Sequence, residues 1–318
     1  MIVAFYTPHL TFRGSCLALY DYAHYNELFL NNKSIIITPR LHEQTTYDDN
    51  QCAFQWFIRR FPVILYDEVD KIQDKLIEMG CKFIYGIKHG LLEMDPVNFN
   101  KIPFGVHCVF DMTTPHGTKY IGVSKTLANK YGSNKYVHHM VNMDPVCTFP
   151  SLRKVYNIPE DAIVFGRYGG LDTFNVLQVI PKINEIVANN PHIYFIFMNC
   201  PMWKPRHPHI IHISAITNIE FKKRFIKTCD AMIVPEFLGH TFGLSIAEFQ
   251  VFHKPIICYN GTVNNRAHMD ILGNDALYFN DAASFHNIID KFKPHISVNS
   301  YARFSPKNAM EEFKQFLD

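Results

Sequence analysis

Asp230-Ala-Met-Ile-Val-Pro-Glu-Phe-Leu-Gly-His-Thr-Phe-Gly-Leu-Ser-Ile-Ala-Glu-Phe-Gln-Val-Phe-His-Lys-Pro-Ile-Ile-Cys-Tyr259 reads, from left to right, as strand, Gly-containing loop, helix, turn and strand. That succession is a βαβ unit and implies a parallel sheet. Gly239 and Gly243 around the start of the helix leave backbone N–H groups open. The helix dipole adds partial positive charge there, so a phosphate can dock without a dedicated metal. Glu248 lies one to two turns further in, where an acceptor-only carboxylate can hold the two hydroxyls of a ribose; His240 is its partner in spacing. The same glycines also suit a buried crossover in which glycine serves only tight packing, and the stretch alone leaves both readings open.

Outward from this unit the pattern repeats. Strand candidates in the first half are Ile2–Tyr6, Ser34–Thr38, Lys82–Ile87, Val106–Phe110 and Tyr120–Val123. After Pro150 it restarts with Ala162–Gly166, Tyr194–Met198, His209–Ile213, Ala231–Val234 and Pro255–Tyr259, separated by helix-like segments such as Val176–Asn189 and Ile219–Lys227. The expected fold is α/β, two Rossmann-like domains facing across a cleft, with the joint in Val141–Ser151, where Asn142, Asp144, Pro145 and Pro150 interrupt the pattern. The division is residues 1–145, residues 146–300 and a C-terminal helix within 301–318, where Pro306–Leu317 puts Ala309, Phe313 and Phe316 on one face. Ligands of such sheets bind beyond the carboxyl ends of the strands, which makes the interdomain cleft the default site.

Composition narrows the function. A chain of 318 residues, 47% of them hydrophobic, buries one large core or two smaller ones. With a formal net charge of +2 and no Lys/Arg-dense block, neither a nucleic-acid tract nor a polybasic anchor is indicated. Met1–His9 reads as a first strand rather than a signal peptide, and no apolar run is long enough to cross a bilayer. The eight cysteines are scattered without a C-x-x-C pair and read as reduced thiols of a cytoplasmic protein, so the sequons at Asn32 and Asn260 are taken as chance. The 17 histidines include no His-Glu-x-x-His, and no metal site is expected. His138 and His139, adjacent, point to different faces and do not share one metal. No Walker loop, no G-x-S-x-G elbow and no Rossmann G-x-G-x-x-G after the first strand is present.

His240-Thr-Phe-Gly-Leu-Ser-Ile-Ala-Glu248 and the following Lys254-Pro-Ile-Ile257 resemble the C-terminal signature of the retaining GT-B glycosyltransferases of family 4, with His in place of the first Glu of the Glu-x7-Glu motif. Val141-Asn-Met-Asp144, Leu152–Asp161 and Ala162-Ile-Val-Phe-Gly-Arg-Tyr-Gly-Gly170 are similar, in the family's order, to its interdomain segment, its Ile-Pro lead-in and its Gly-Arg strand end. The resemblance gives Arg167 the donor diphosphate, places His107 and His240 beside the transferred sugar, and puts Gly14 in a Gly-rich loop under the phosphates. It assigns Phe242, Gly243, Leu244 and Glu248 to the nucleotide and sends the C-terminal helix back to the first lobe. A hexose would pass from a nucleoside diphosphate-sugar to a glycan, lipid-linked or small-molecule acceptor, with no cofactor and no metal. The chain departs from the pattern in lacking the Lys about five residues after Gly-Arg, with no basic residue before Lys182. Those departures motivate one alternative, a non-catalytic nucleotide-sugar-binding protein; another, a GT-B nucleotide-sugar epimerase, shares the architecture and the donor. Glu236 reads as a solvated loop acid, although it stands where a substitute carboxylate would; Tyr168 and Phe174 read as packing.

Overall fold

A computed structural model describes residues 1–40, 47–262 and 264–318, residues 47–51 by their backbone. The chain forms two compact units, Met1–Asn142 with Phe304–Asp318, and Met143–Arg303. In the first, β1 (Ile2–Tyr6), α1 (Gly14–Leu30), β2 (Lys33–Pro39), α2 (Tyr47–Ile58), β3 (Val63–Tyr66), α3 (Val69–Glu78), β4 (Cys81–Lys88), β5 (Phe104–Cys108), β6 (Lys119–Gly122) and α4 (Lys125–Lys130) build a parallel sheet of order β3-β2-β1-β4-β5-β6.

In the second unit the elements are β7 (Ile163–Tyr168), α5 (Val179–Asn189), β8 (Ile193–Met198), β9 (Ile210–Ile213), α6 (Ile219–Thr228), β10 (Ala231–Val234), β11 (Gly239–His240), α7 (Leu244–Val251), β12 (Ile256–Tyr259), β13 (Asn265–Arg266), α8 (Ala267–Leu272), β14 (Ala276–Phe279) and α9 (Ala282–Lys291). Six of its strands form a second parallel sheet of order β14-β12-β10-β7-β8-β9, while β11 and β13 pair with each other. Central strands such as β8, buried along its whole length, carry continuous apolar runs because both faces of a parallel sheet are covered.

The two edge strands β3 and β14 were not among the sequence expectations. Each has only four residues and an incompletely buried pattern, so neither carries the long apolar run that marks a central strand. The strand expected at Val106–Phe110 lies at Phe104–Cys108 instead. Gly105 is inside it: a Cβ there would stand 2.4 Å from Cζ of Phe316, so glycine admits the C-terminal helix.

That helix, α10 (Pro306–Leu317), is part of the first unit. Ser305 caps it by accepting from the Asn308 amide, and Ala309, Met310, Phe313, Phe316 and Leu317 are buried. Phe313 lies with its centroid 4.9 Å from that of Tyr85 and 5.0 Å from that of Tyr22. Glu312 accepts from the backbone N–H of His138 at 2.8 Å and meets its Nδ1 at 3.1 Å. Burial alone would push the Glu312 carboxyl up, but the bonds from His138 outweigh it and hold the group below its ordinary value.

Phe313→Ala is expected to destabilise the protein by about 3–5 kcal/mol in chemical denaturation, the cost of an aromatic cavity in a packed core. Because the folded-state value of Glu312 is depressed, its stabilisation is complete above the ordinary glutamate pKa of about 4.3 and is lost as pH falls through the folded value. The stability gap between the native chain and Glu312→Gln should therefore narrow in denaturation series run below that pH.

Candidate functional site

In each sheet the strand order reverses at one point, between β1 and β4 in the first and between β7 and β10 in the second. Loops leaving the carboxyl ends there diverge to opposite faces and open a ligand crevice. In the second unit the reversal is built by the register Ala231↔Phe165 and Met232↔Gly166. A Cβ at Gly166 would lie 2.2 Å from Sγ of Cys229, so glycine is required for this close approach. The loops after β7 and β10 are tied together: the amides of Asn175 and Val176 donate to Pro235 O at 3.2 and 3.0 Å, and the Phe237 amide donates to Asn175 Oδ1 at 2.6 Å.

Arg167 sits at this point, only 2% exposed. Its Nη1 donates to Cys200 Sγ at 3.2 Å, its Nη2 donates to Thr173 Oγ1, and its guanidinium carbon lies 5.6 Å from the centroid of Phe174. Its Nε is buried without a hydrogen-bond partner among the described residues. Glu236, the first residue after Pro235, is 6% exposed and so is not the solvated loop acid its sequence context implies. Its Oε2 lies 3.9 Å from Arg167 Nη2 and 2.8 Å from His240 Nε2, a close charge contact that falls short of an aligned hydrogen bond. The structure thus brings together Arg167, Glu236 and His240. Sequence reasoning set Glu236 aside because both partners that bury it lie beyond its immediate neighbours, one of them on another strand.

Gly239 and Gly243 prove to have different reasons. Gly239 has φ +73°, and a Cβ there would fall 1.9 Å from Asn265 O, so it is dictated by the β11–β13 contact. Gly243, at φ +89°, is the N-cap of α7 and opens the helix with no side-chain cap and no acid in its first turn. Leu244 begins that turn, half-buried. Phe242 is buried against Tyr301, with ring centroids 5.5 Å apart, and its carbonyl accepts from the Tyr301 hydroxyl at 2.7 Å. Packed against His240, centroid to centroid 5.1 Å, is His268, whose burial pushes its imidazole down to about 3 and keeps it neutral.

Glu248 projects from α7 toward the other face of β7, where Oε2 accepts from the Tyr168 hydroxyl and Oε1 lies 3.0 Å from Lys222 Nζ. Lys222 enters from the first turns of α6 and lies 5.4 Å from the Tyr168 ring centroid. A second cation therefore stands beside this site although the sequence after Gly-Arg carries none, and only the fold brings it near. Each oxygen of Glu248 has one partner, which leaves a carboxylate capacity for further donors. Tyr168 and Phe174, 7% and 4% exposed, are core side chains as read from sequence, the Tyr168 hydroxyl also holding Glu248.

The remaining two predicted residues belong to the first unit. Gly14 is exposed at the first position of α1, whose first turn likewise lacks a side-chain cap and an acid. His107 is fully buried in β5, with Nδ1 2.6 Å from the Tyr85 hydroxyl and Nε2 2.7 Å from Val137 O. Burial pushes it down to about 4. Both of its ring nitrogens are thus engaged within the first unit. At the reversal point of the same sheet His89, which sequence reasoning passed over, follows β4 with a buried Nδ1 lacking a partner among the described residues.

All eight cysteines are free thiols, and among the described residues no helix is long and apolar enough to cross a membrane. No protein-family model matches the chain, and no curated protein sequence is similar to it. Solved structures are similar in fold. HepE of Anabaena, solved in complex with UDP-glucose, superposes with a TM-score of 0.75 at 13% identity, over 100% of this chain and 99% of that one. A glycosyltransferase from Rickettsia africae gives 0.73 at 13% identity, over 99% and 97%. WaaG, a glycosyltransferase involved in lipopolysaccharide biosynthesis, gives 0.57 at 10% identity, over 97% and 94%. At such identities the likeness is one of architecture, and the chain has the two parallel-sheet α/β units of the GT-B glycosyltransferases.

Proposed function

We propose that this protein is a glycosyltransferase that moves a hexose from a nucleoside diphosphate-sugar to a glycan, lipid-linked or small-molecule acceptor, with retention of configuration and without metal. The observation that carries the reading is the buried guanidinium of Arg167 at the strand reversal of the second unit, linked through Glu236 to His240, which precedes the uncapped start of α7 by three residues. A desolvated cation and open helix amides are what a leaving diphosphate needs, since both stabilise charge that develops as the glycosidic bond breaks. HepE, of the same fold, was solved with UDP-glucose, which makes a UDP-sugar the first donor to try.

In this reading Arg167 and the amides at Gly243 and Leu244 hold the diphosphate, and Glu248 accepts from the ribose. His240 flanks the sugar. Phe242 contributes its backbone, its ring being committed to Tyr301. The anomeric carbon loses its bond to the diphosphate and gains one to the acceptor oxygen on the same face, while the acceptor proton passes to the leaving diphosphate. The protein supplies charge and position rather than a nucleophile.

The test is UDP release and sugar consumption from UDP-glucose and related donors, with and without a panel of acceptors. A transferase consumes donor faster with acceptor present; conversion of donor without acceptor would make it an epimerase, and binding with no turnover a non-catalytic receptor. Arg167→Ala should weaken UDP binding by about 10- to 100-fold in calorimetry, the worth of a lost charge-assisted hydrogen bond. Glu248→Ala should weaken it to a comparable degree. Binding should be the same in EDTA as in magnesium. Unchanged affinity in both variants would refute the assignment of the site.

A further inference from the structure

Two neighbouring atoms at the strand reversal of the second unit lack the partners that their burial calls for. Arg167 Nε is a donor and Glu236 Oε2 an acceptor, and neither has a hydrogen bond among the described residues. Both residues are more than nine-tenths buried. Buried polar atoms are nearly always paired, so each of these is exceptional. Together they ask for opposite things: the guanidinium nitrogen needs an acceptor oxygen, the carboxylate oxygen needs an O–H or N–H. Glu236 Oε2 lies 2.8 Å from His240 Nε2 and 3.9 Å from Arg167 Nη2, and His240 keeps 18% of its side chain open to solvent, so the pair is not sealed off.

One kind of molecule meets both demands at once, a phosphate ester with a free hydroxyl close to its anionic oxygens. We propose that Glu236 accepts a hydrogen bond from a hydroxyl of the sugar carried on the diphosphate, and is the residue by which the site tells a sugar nucleotide from the bare nucleotide. This rests on the donor-binding reading above and adds to it a residue outside every motif that carries the family resemblance. A bare diphosphate brings anionic oxygens toward a carboxylate and offers it no donor. A sugar nucleotide supplies that donor, and the carboxylate becomes an asset. Glu236 thereby takes on the hydroxyl-accepting work that an imidazole at position 240, cationic or with a single lone pair, does poorly.

The experiment is calorimetry of UDP and of UDP-glucose, UDP-galactose and UDP-N-acetylglucosamine on the native protein, Glu236→Gln and Glu236→Ala, with thermal unfolding to establish that each is folded. The native protein should bind its preferred sugar nucleotide about tenfold or more tighter than UDP, as one hydrogen bond to a charged group provides. In Glu236→Ala that ratio should fall to near one, with UDP itself bound as well as before or better; Glu236→Gln should fall between. Among deoxy analogues of the preferred donor, the one lacking the hydroxyl that meets Glu236 should lose affinity for the native protein and not for Glu236→Ala. A merely structural carboxylate would weaken all ligands alike. An unchanged ratio in both folded variants overturns the proposal while leaving the donor site intact. Failure of the native protein to bind any of the four nucleotides overturns the donor reading and this inference with it. If Glu236→Ala does not fold, Glu236→Gln and the deoxy series decide the matter.

Discussion

The parallel pairing of β7 with β10, Ala231 opposite Phe165 and Met232 opposite Gly166, is the constraint on which the rest of the second unit depends. It sets side by side two strands that are not consecutive in the chain, β8 and β9 lying between them in sequence, and it is at their carboxyl ends that helices depart to opposite faces of the sheet. Everything chemical in the unit follows from that placement. Arg167 ends one strand, Glu236 follows the other, and the loops between them are stitched by Asn175. Gly166 is the local condition for the pairing, since any side chain there would meet Cys229.

Because the meeting point is buried, its electrostatics are strong and its unmet demands are costly. Arg167 has Thr173 and Cys200 as partners but keeps one donor idle, and Glu236 Oε2 sits between Arg167 and His240 without an aligned bond. On the other face of β7 the corresponding group, Glu248, has one partner on each oxygen, Tyr168 and Lys222. The two carboxylates therefore play different parts. One is prearranged and can still accept a ribose, the other is poised and incomplete until something binds.

Much of this was legible in the sequence where the signal is local. Ala231–Val234 is a strand with the bounds its β-branched run implies, and α10 spans the predicted Pro306–Leu317. Edge strands β3 and β14 were not, since four half-covered residues do not stand out from loop sequence. Site residues divide in the same way. The helix start at Gly243 follows from the glycine pattern, and Arg167 was singled out by the family resemblance of its Gly-Arg strand end. The burial of Glu236 and the pairing of Lys222 with Glu248 depend on contacts across the fold, and no spacing rule announces them. The same holds for His107: near a strand end a histidine facing the core has the same sequence context as one facing a ligand, and its bonds to Tyr85 and Val137 O become visible only in the fold.

The central claim is that a nucleoside diphosphate-sugar binds at the strand reversal of the second unit, and hydrogen–deuterium exchange with and without UDP-glucose tests it most directly. The account predicts slower exchange confined to the segment after β7, the segment after β10 and the first turn of α7, with UDP alone protecting the region around Glu236 less than the sugar nucleotide does. Protection that appears elsewhere in the chain while these segments exchange unchanged would contradict it.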